Sequence, residues 1–364
     1  MTHKHKAIIT VINDLVNDQR AHKMALSLLD LGYDVTLVGR LLNNSKSISR
    51  TYKIKRFKLL INKGFWFYAL YNMRLLFYYL THKVDLIWAC DMDTLLPAFK
   101  ISKIKNTELV YDAHEYFSEC PELIDKPKIK KFWQKLEDKY IPKIKRIVTV
   151  SDGIKNIFEK KYAVKVNVIY NYPFFIEKSK IEALKKPSNI TKTIIYQGAV
   201  NVGRGLENLV KSMHKMDAQL LIVGDGDIFE SINMLIKKEG LDHKIKMMGK
   251  LPFEELLKYT VNAVVGVSLE EPMGLNYQLA MPNKLFDYIQ ARIPVLVSNL
   301  PEMKKIVEQF KVGEVLMEHN PDAIAQKLNF MLENAASYTA NLETAAHKFC
   351  WENQKEIIKQ TIEF

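Results

Sequence analysis

Short apolar segments of strand length alternate with helix-length segments along the whole chain, and the alternation breaks once and then restarts. Ala7–Ile12, Asp34–Val38, Asp85–Ala89, Leu109–Tyr111, Arg146–Val150 and Lys165–Ile169 read as strands. Between them, Asp18–Gly32 carries Ala21, Met24, Ala25, Leu28 and Leu29 at helical spacing, with Gly32 as a stop; further helices are expected at Thr94–Lys105, Pro127–Tyr140 and Asp152–Lys161. Apolar strands separated by helices predict a parallel sheet covered on both faces. The stretch NYPFFIEKSKIEALKKPSNI then loses the apolar period and reads as a linker. Strands resume at Thr193–Tyr196, Gln219–Val223, Lys244–Met248, Ala263–Val267, Val295–Val297 and Gly313–Leu316, with helices such as Leu206–Lys215 and Ile228–Glu239. The chain has 364 residues, enough for two cores. The expected fold is α/β: two doubly wound Rossmann-like domains, 1–175 and 176–349, facing across a cleft at the carboxyl ends of their strands, where such sheets bind ligands.

The charge is divided unequally. The chain carries a formal +12, with +14 in residues 1–180 and −2 in the rest. Cys90, Cys120 and Cys350 lie far apart, so neither a zinc site nor a disulfide framework is indicated. No signal-peptide pattern precedes the first strand, and the aromatic run 65–80 is interrupted by Asn72 and Arg74 and falls short of the ~20 residues a spanning helix needs. These features lead to the expectation of a cytoplasmic protein.

Two stretches in the second half carry chemistry. IYQGAVNVGRGLENL (195–209) ends a strand, turns through Gly198, Asn201, Gly203 and Gly205, and opens a helix near Leu206. Backbone N–H groups and a helix start at such a turn suit an anion, and Arg204 adds a planar cationic fork. An ordinary βα turn with a solvated arginine fits the pattern equally. LEEPMGLNYQLAMPNKLFDYIQARIPVLVS (269–298) places Glu270 and Glu271 after a strand and Lys284 and Asp287 about one turn apart on a helix. Asp287 is suited to accept from two ribose hydroxyls; the alternative is a surface Lys–Asp pair.

Together these stretches resemble the donor half of retaining glycosyltransferases of family 4, which have the GT-B fold, and the resemblance extends over nearly the whole chain. The family's glycine-rich loop, which holds a diphosphate, falls on Gly198 through Arg204 and Gly205. Its ribose-binding carboxylate, seven residues before the proline of a G-x-P-V element, falls on Asp287, with Pro294 and Val295 following. The sequence departs from the family at Ala199 (commonly Arg), at Arg292 (commonly Gly) and at Leu279, where the first glutamate of a spaced pair is missing. Glu270 or Glu271 is then the candidate to face the donor sugar, and PNKLFDY makes Lys284 a second phosphate or sugar contact.

In the first half, VYDAHEYFSE (110–119) matches the segment that in the family carries a histidine facing the donor sugar. This falls on His114, beside Glu115, as a group that orients or accepts a proton from a sugar hydroxyl. NDLVNDQRAHKMA resembles the family's first βα loop and puts Asp18 and Arg20 at the cleft rim. Ser151 is expected to cap a helix. The 350–364 segment resembles the closing helix that packs back on the first domain, with Phe349 and Trp351 beside it. Asp91-Met-Asp93 has the form of a metal motif, but its place before a helix favours capping by Asp93. The resemblance implies a metal-independent enzyme with no cofactor, the nucleotide sugar being its donor substrate.

Residues 51–83 contain seven Lys or Arg, ten aromatics and no acid. That composition suits peripheral contact with an anionic membrane on its inner face, where each cation contributes ~1 kcal/mol. A core helix with a cationic rim is the competing reading, and nucleic acid is disfavoured by the absence of any binding motif. The expected activity is sugar transfer, with retention, from a nucleotide-diphosphate donor to a lipid-linked saccharide of surface polysaccharide synthesis. A nucleotide-sugar 2-epimerase and a non-catalytic membrane scaffold are the alternatives.

Overall fold

The computed structural model describes residues 4–363 except 17, 121, 122, 124, 187–191 and 280. The chain divides into two units, Met1–Asn171 with Gln354–Phe364, and Tyr172–Asn353. The first is built on β1 (Lys6–Asp14), β2 (Asp34–Leu41), β3 (Lys53–Lys58), β4 (Leu86–Cys90), β5 (Glu108–Ala113), β6 (Arg146–Thr149) and β7 (Val166–Val168). They form one sheet in the order β3-β2-β1-β4-β5-β6-β7. Every pairing is parallel, for example Ile8 opposite Ile87 in β1 and β4. The second unit has β8 (Thr193–Gln197), β9 (Gln219–Val223), β10 (Ile245–Gly249), β11 (Val265–Ser268), β12 (Val295–Ser298) and β13 (Gly313–Leu316), in the order β10-β9-β8-β11-β12-β13. Each order reverses direction beside its first strand, the point where an open sheet leaves room for a ligand beyond the strand ends.

The strands are central because their side chains are apolar on both faces: Leu86–Cys90 and Val265–Ser268 are buried throughout. The edge strand β3, KIKRFK, has exposed lysines alternating with less exposed residues. Lysine on an edge blocks pairing with another chain, and it also disguises the segment as a charge run. The expected linker is shorter than the pattern suggested, because Lys178–Leu184 forms a helix that belongs to the second unit.

Residues 51–83 are not a detached surface element. They supply β3 and the helix α2 (Gly64–Thr81), which follows α1 (Gln19–Asp30) and precedes α3 (Met92–Lys105). Phe67, Tyr71, Leu75 and Tyr79, spaced by one helical turn, are buried, and the Tyr71 hydroxyl donates to the Val11 carbonyl. The opposite side of α2 exposes Phe65, Trp66, Met73 and Phe77. Lys105 Nζ closes the helix end by donating to the carbonyls of Tyr79, Leu80 and His82. Among the described residues, no helix is long and apolar enough to cross a membrane.

Ser151 caps its helix as expected, its Oγ accepting from Ile154 N at 3.3 Å. Asp93 does not cap α3: Asp91 holds the cap position, and Asp93 lies buried in the first turn. The helix Lys355–Glu363 packs on β6 and β7, where Asn167 Nδ2 donates to Thr361 Oγ1 at 3.0 Å. Phe349 and Trp351 belong to the second unit, where the Phe349 ring meets Tyr172, Phe286 and Phe310. Truncating Leu75 to alanine is expected to cost about 2–5 kcal/mol, as for other fully buried leucines. Met73→Ala on the exposed side should stay within about 0.5 kcal/mol, and denaturant unfolding separates the two.

Candidate active site

At the C-terminal end of β5, Asp112 is fully buried and receives donors from two other elements. Arg20, on α1, donates through Nη2 to Oδ1 at 2.6 Å and through Nε to Oδ2 at 3.2 Å. Trp88 Nε1, from β4, donates to Oδ2 at 2.9 Å. Arg20 also reaches past β7 to the Ile169 carbonyl at 2.7 Å. Burial opposes ionisation of Asp112, but Arg20 and His114 outweigh it and hold the carboxyl well below the usual range. Arg20 is therefore an internal strut, not a rim residue. Asp18 caps α1, accepting from Ala21 N at 3.0 Å, and also accepts from Asn13 Nδ2 at 3.2 Å.

His114 sits between two carboxylates. Nε2 is 3.4 Å from Asp112 Oδ2, Nδ1 is 3.3 Å from Asp91 Oδ2, and its backbone N–H donates to Asp91 Oδ1 at 2.9 Å. Burial disfavours the imidazolium, yet Asp91 and Asp112 raise its pKa well above the ordinary value. Both carboxylates favour the doubly protonated ring, in which it would act as a donor to a hydroxyl, beside the expected role of orienting the hydroxyl or accepting its proton. Burial in turn raises Asp91 to about 7 against the opposing pull of His114, with half-buried Glu115 adding to the rise. Asp91 adopts a left-handed φ of +58°, a strained conformation that turns its carboxylate back to His114. Among the described residues, Cys90, Asp112 and His114 offer ligand atoms within 4.8 Å of one another. The Asp112 oxygens are already taken by Arg20 and Trp88, and burial pushes the Cys90 thiol up to about 12, so this set is a poor metal site.

The second unit gathers cations at the end of β8. Glu270 is buried, with Lys284 Nζ 2.9 Å and Arg204 Nη1 3.2 Å from the same oxygen, Oε1. Ser268 Oγ donates to the other oxygen at 2.7 Å. Burial would raise the Glu270 pKa, but the two cations and the hydroxyl bring it down to about 2. Lys284 stands 4.1 Å from the Tyr196 ring centre and Arg204 4.7 Å from that of Tyr277. The Arg204 Nε–H is buried without a hydrogen-bond partner. The loop can lie this close because Gly205 has φ +68° and a Cβ there would come within 2.5 Å of the Leu269 carbonyl oxygen.

The remaining candidates frame this pair. Gly198 N donates to Val223 O, and Asn201 Oδ1 accepts from Asp227 N, tying the two glycine turns together. Gly203 O accepts from Glu271 N at 2.9 Å, so Glu271 secures the loop through its backbone while Glu270 turns inward. Asp287 accepts from Gln197 Nε2 at 3.0 Å, and Gln197 Oε1 accepts from Thr260 Oγ1 at 2.9 Å. Trp88, Asp112, Gln197 and Ser268 went unassigned in the sequence, and Asp91 was considered only as part of a metal-type motif. A polar residue closing an apolar strand was the available signal, as in VYD and VGVS.

The two titrating histidines near α1 and β5 should behave oppositely. Burial, with Arg50 and Lys23 nearby, lowers His22 to about 4. Across pH 5–8, nitrogen NMR of the imidazoles should show His22 neutral and His114 doubly protonated, and Asp112→Asn should bring the His114 titration down. A neutral His114 at pH 7 would contradict the ion-pair geometry.

Residues 19–172 match the model of Glycosyltransferase Family 4, and residues 177–349 match that of Glycosyl transferases group 1. An uncharacterised glycosyltransferase of Methanocaldococcus jannaschii is 28% identical over 240 residues, covering 60% of this chain and 58% of that protein, so the match spans little more than half of the relative. Among solved structures, sucrose-phosphate synthase from Thermosynechococcus elongatus superposes with a TM-score of 0.81 at 14% identity over 98% of both chains. Anabaena HepE in complex with UDP-glucose gives 0.74 at 14% over 98% of this chain and 99% of that one. WaaG, a glycosyltransferase involved in lipopolysaccharide biosynthesis, gives 0.73 at 13% over 97% and 99%. At such low identity these structures establish the architecture, and the matches over both halves give the membership: the chain belongs to the group 1 glycosyltransferases, built on the GT-B fold.

Proposed function

We propose that the chain transfers a sugar, with retention and without a metal, from a nucleotide-diphosphate donor to a lipid-linked saccharide of surface polysaccharide synthesis. The observation that carries the reading is the convergence of Arg204 and Lys284 on one buried carboxylate beside a glycine turn. Two fixed cations with aromatic backing can neutralise the charge that grows on a departing diphosphate, the term that usually dominates such catalysis. Glu270 holds them apart from water until the diphosphate competes for them. Asp287, oriented by Gln197, is placed to accept from ribose hydroxyls. HepE, solved with UDP-glucose, supports a nucleotide-sugar donor, and WaaG supports a surface-saccharide pathway. In the first unit, protonated His114 donates to a sugar hydroxyl, and Asp91 beside it, with its raised pKa, takes up a proton near neutral pH.

Membrane contact belongs to the start of α2. Leu60, Ile61, Phe65 and Trp66 are exposed there, next to Lys63. The Asn72 side chain links this half of α2 to Asp93, near Asp91 and His114, so the apolar patch and His114 share one end of the unit. A lipid-linked acceptor fits that placement.

Arg204→Ala should weaken nucleotide-diphosphate binding by calorimetry roughly 10- to 100-fold, the effect of losing one or more charge-assisted bonds. A wild-type chain that binds no UDP, GDP, ADP or CDP would sink the donor reading. Flotation with phosphatidylglycerol vesicles tests the patch: Lys63→Glu with Trp66→Glu should reduce binding roughly tenfold. Equal flotation of variant and wild type would remove the membrane from the proposal.

A further inference from the structure

A cavity lies at the other end of the first sheet. It is about 910 Å³ in volume and opens between α2 and the edge strands. Lys6, Asp34 and Lys53, on its wall, stand at the N-terminal ends of β1, β2 and β3, whereas His114 follows the C-terminal end of β5. The volume falls in the range of small-molecule sites. Nothing in the proposed transfer reaction uses it.

Its surface is of two kinds. The floor is apolar and aromatic, formed by Phe57, Met73, Phe77 and Tyr78, with Phe57 and Tyr78 in edge-to-face contact at 6.0 Å. Five Lys or Arg side chains line the cavity against one carboxylate, Asp34, which Lys53 already pairs at 2.7 Å. Lys55 and Lys83 are exposed at the rim, and Arg74 is steadied by donating to the Lys58 carbonyl at 2.5 Å. The polar groups of the floor are spoken for. Tyr78 bonds Thr36 and stacks on His82 at 4.0 Å, and His82 Nδ1 lies 2.9 Å from the Tyr78 carbonyl oxygen and 3.0 Å from Thr81 Oγ1. A glycan would find few uncommitted donors or acceptors there. What remains on offer is apolar surface flanked by cations whose stems can lie along it.

We propose that this cavity binds a single amphiphile, with a phosphate-type anionic head held by Lys55 and Lys83 and a linear apolar chain laid along Phe57 and Phe77. The assignment is independent of the nucleotide reading and of the patch at the start of α2. It can therefore fail without either of them.

Calorimetric titration with dodecyl phosphate below its micellar concentration tests it, with inorganic phosphate and dodecyl maltoside as separate titrants. Saturable one-to-one binding of dodecyl phosphate is expected, with the other two at least about tenfold weaker, since each lacks one of the two contact types. The double variant Lys55→Glu, Lys83→Glu should lose about tenfold while keeping the wild-type thermal transition without ligand. Phe77→Asp, on an exposed position, gives an independent loss through the floor. The proposal is overturned by absence of saturable dodecyl phosphate binding, by equal binding of dodecyl maltoside or of inorganic phosphate, or by undiminished binding in both variants.

Discussion

The carboxylate of Asp112 is where the first unit is tied together. Arg20 brings α1 to it, Trp88 brings β4, and the second arm of Arg20 reaches the chain beyond β7 at Ile169. A buried ion pair gains little over an apolar replacement, because desolvating both charges offsets most of their attraction. Losing one partner is different, since the stranded charge then costs about 3–5 kcal/mol. This one-sided penalty fixes the geometry: neither Arg20 nor Asp112 can leave alone. His114 is set between that carboxylate and Asp91, and both push its pKa upward.

The second unit repeats the device with a glutamate at its centre. There one carboxylate, Glu270, holds two cations, and the cations are the groups an anionic ligand would recruit. The formal charge of the second half is near neutral, yet this says little about binding, because one ammonium and one guanidinium held on aromatic rings act locally. The first half carries its excess of cations outward, on the edge strand, around α2 and along the helix Pro127–Tyr140.

The sheet architecture was legible because parallel strands must be apolar on both faces, and helices that cover them show one apolar stripe. Twelve of the strand segments stood out for this reason. The thirteenth, β3, was hidden by its alternating lysines, which an edge strand tolerates and an interior strand does not. The residues of the glycine turn and of the PNKLFDY helix were visible through family likeness. Their partners were not, since Ser268, Gln197 and Asp112 act by closing contacts between segments far apart in sequence. His114 was visible beside Glu115, but its surroundings were not: Asp91 and Asp112 come to the ring from the ends of two different strands.

Arg292 stands where the family usually has glycine, and its φ of +58° explains the usual choice. The arginine holds the strained backbone by folding back on its own neighbourhood: Nη1 donates to the Gln290 carbonyl at 2.6 Å, while Nε and Nη2 clasp Glu343 at 3.0 and 3.2 Å. Glu343 responds with a lowered pKa, its hydrogen bond to Arg292 being the first cause. Two positions fifty-one residues apart are thereby mechanically coupled. Glycine at 292 would need no such support and would leave Glu343 without its partner, whereas losing Glu343 would leave the arginine in a costly conformation held by the Gln290 carbonyl. The order in which those changes can occur is set by a single dihedral angle.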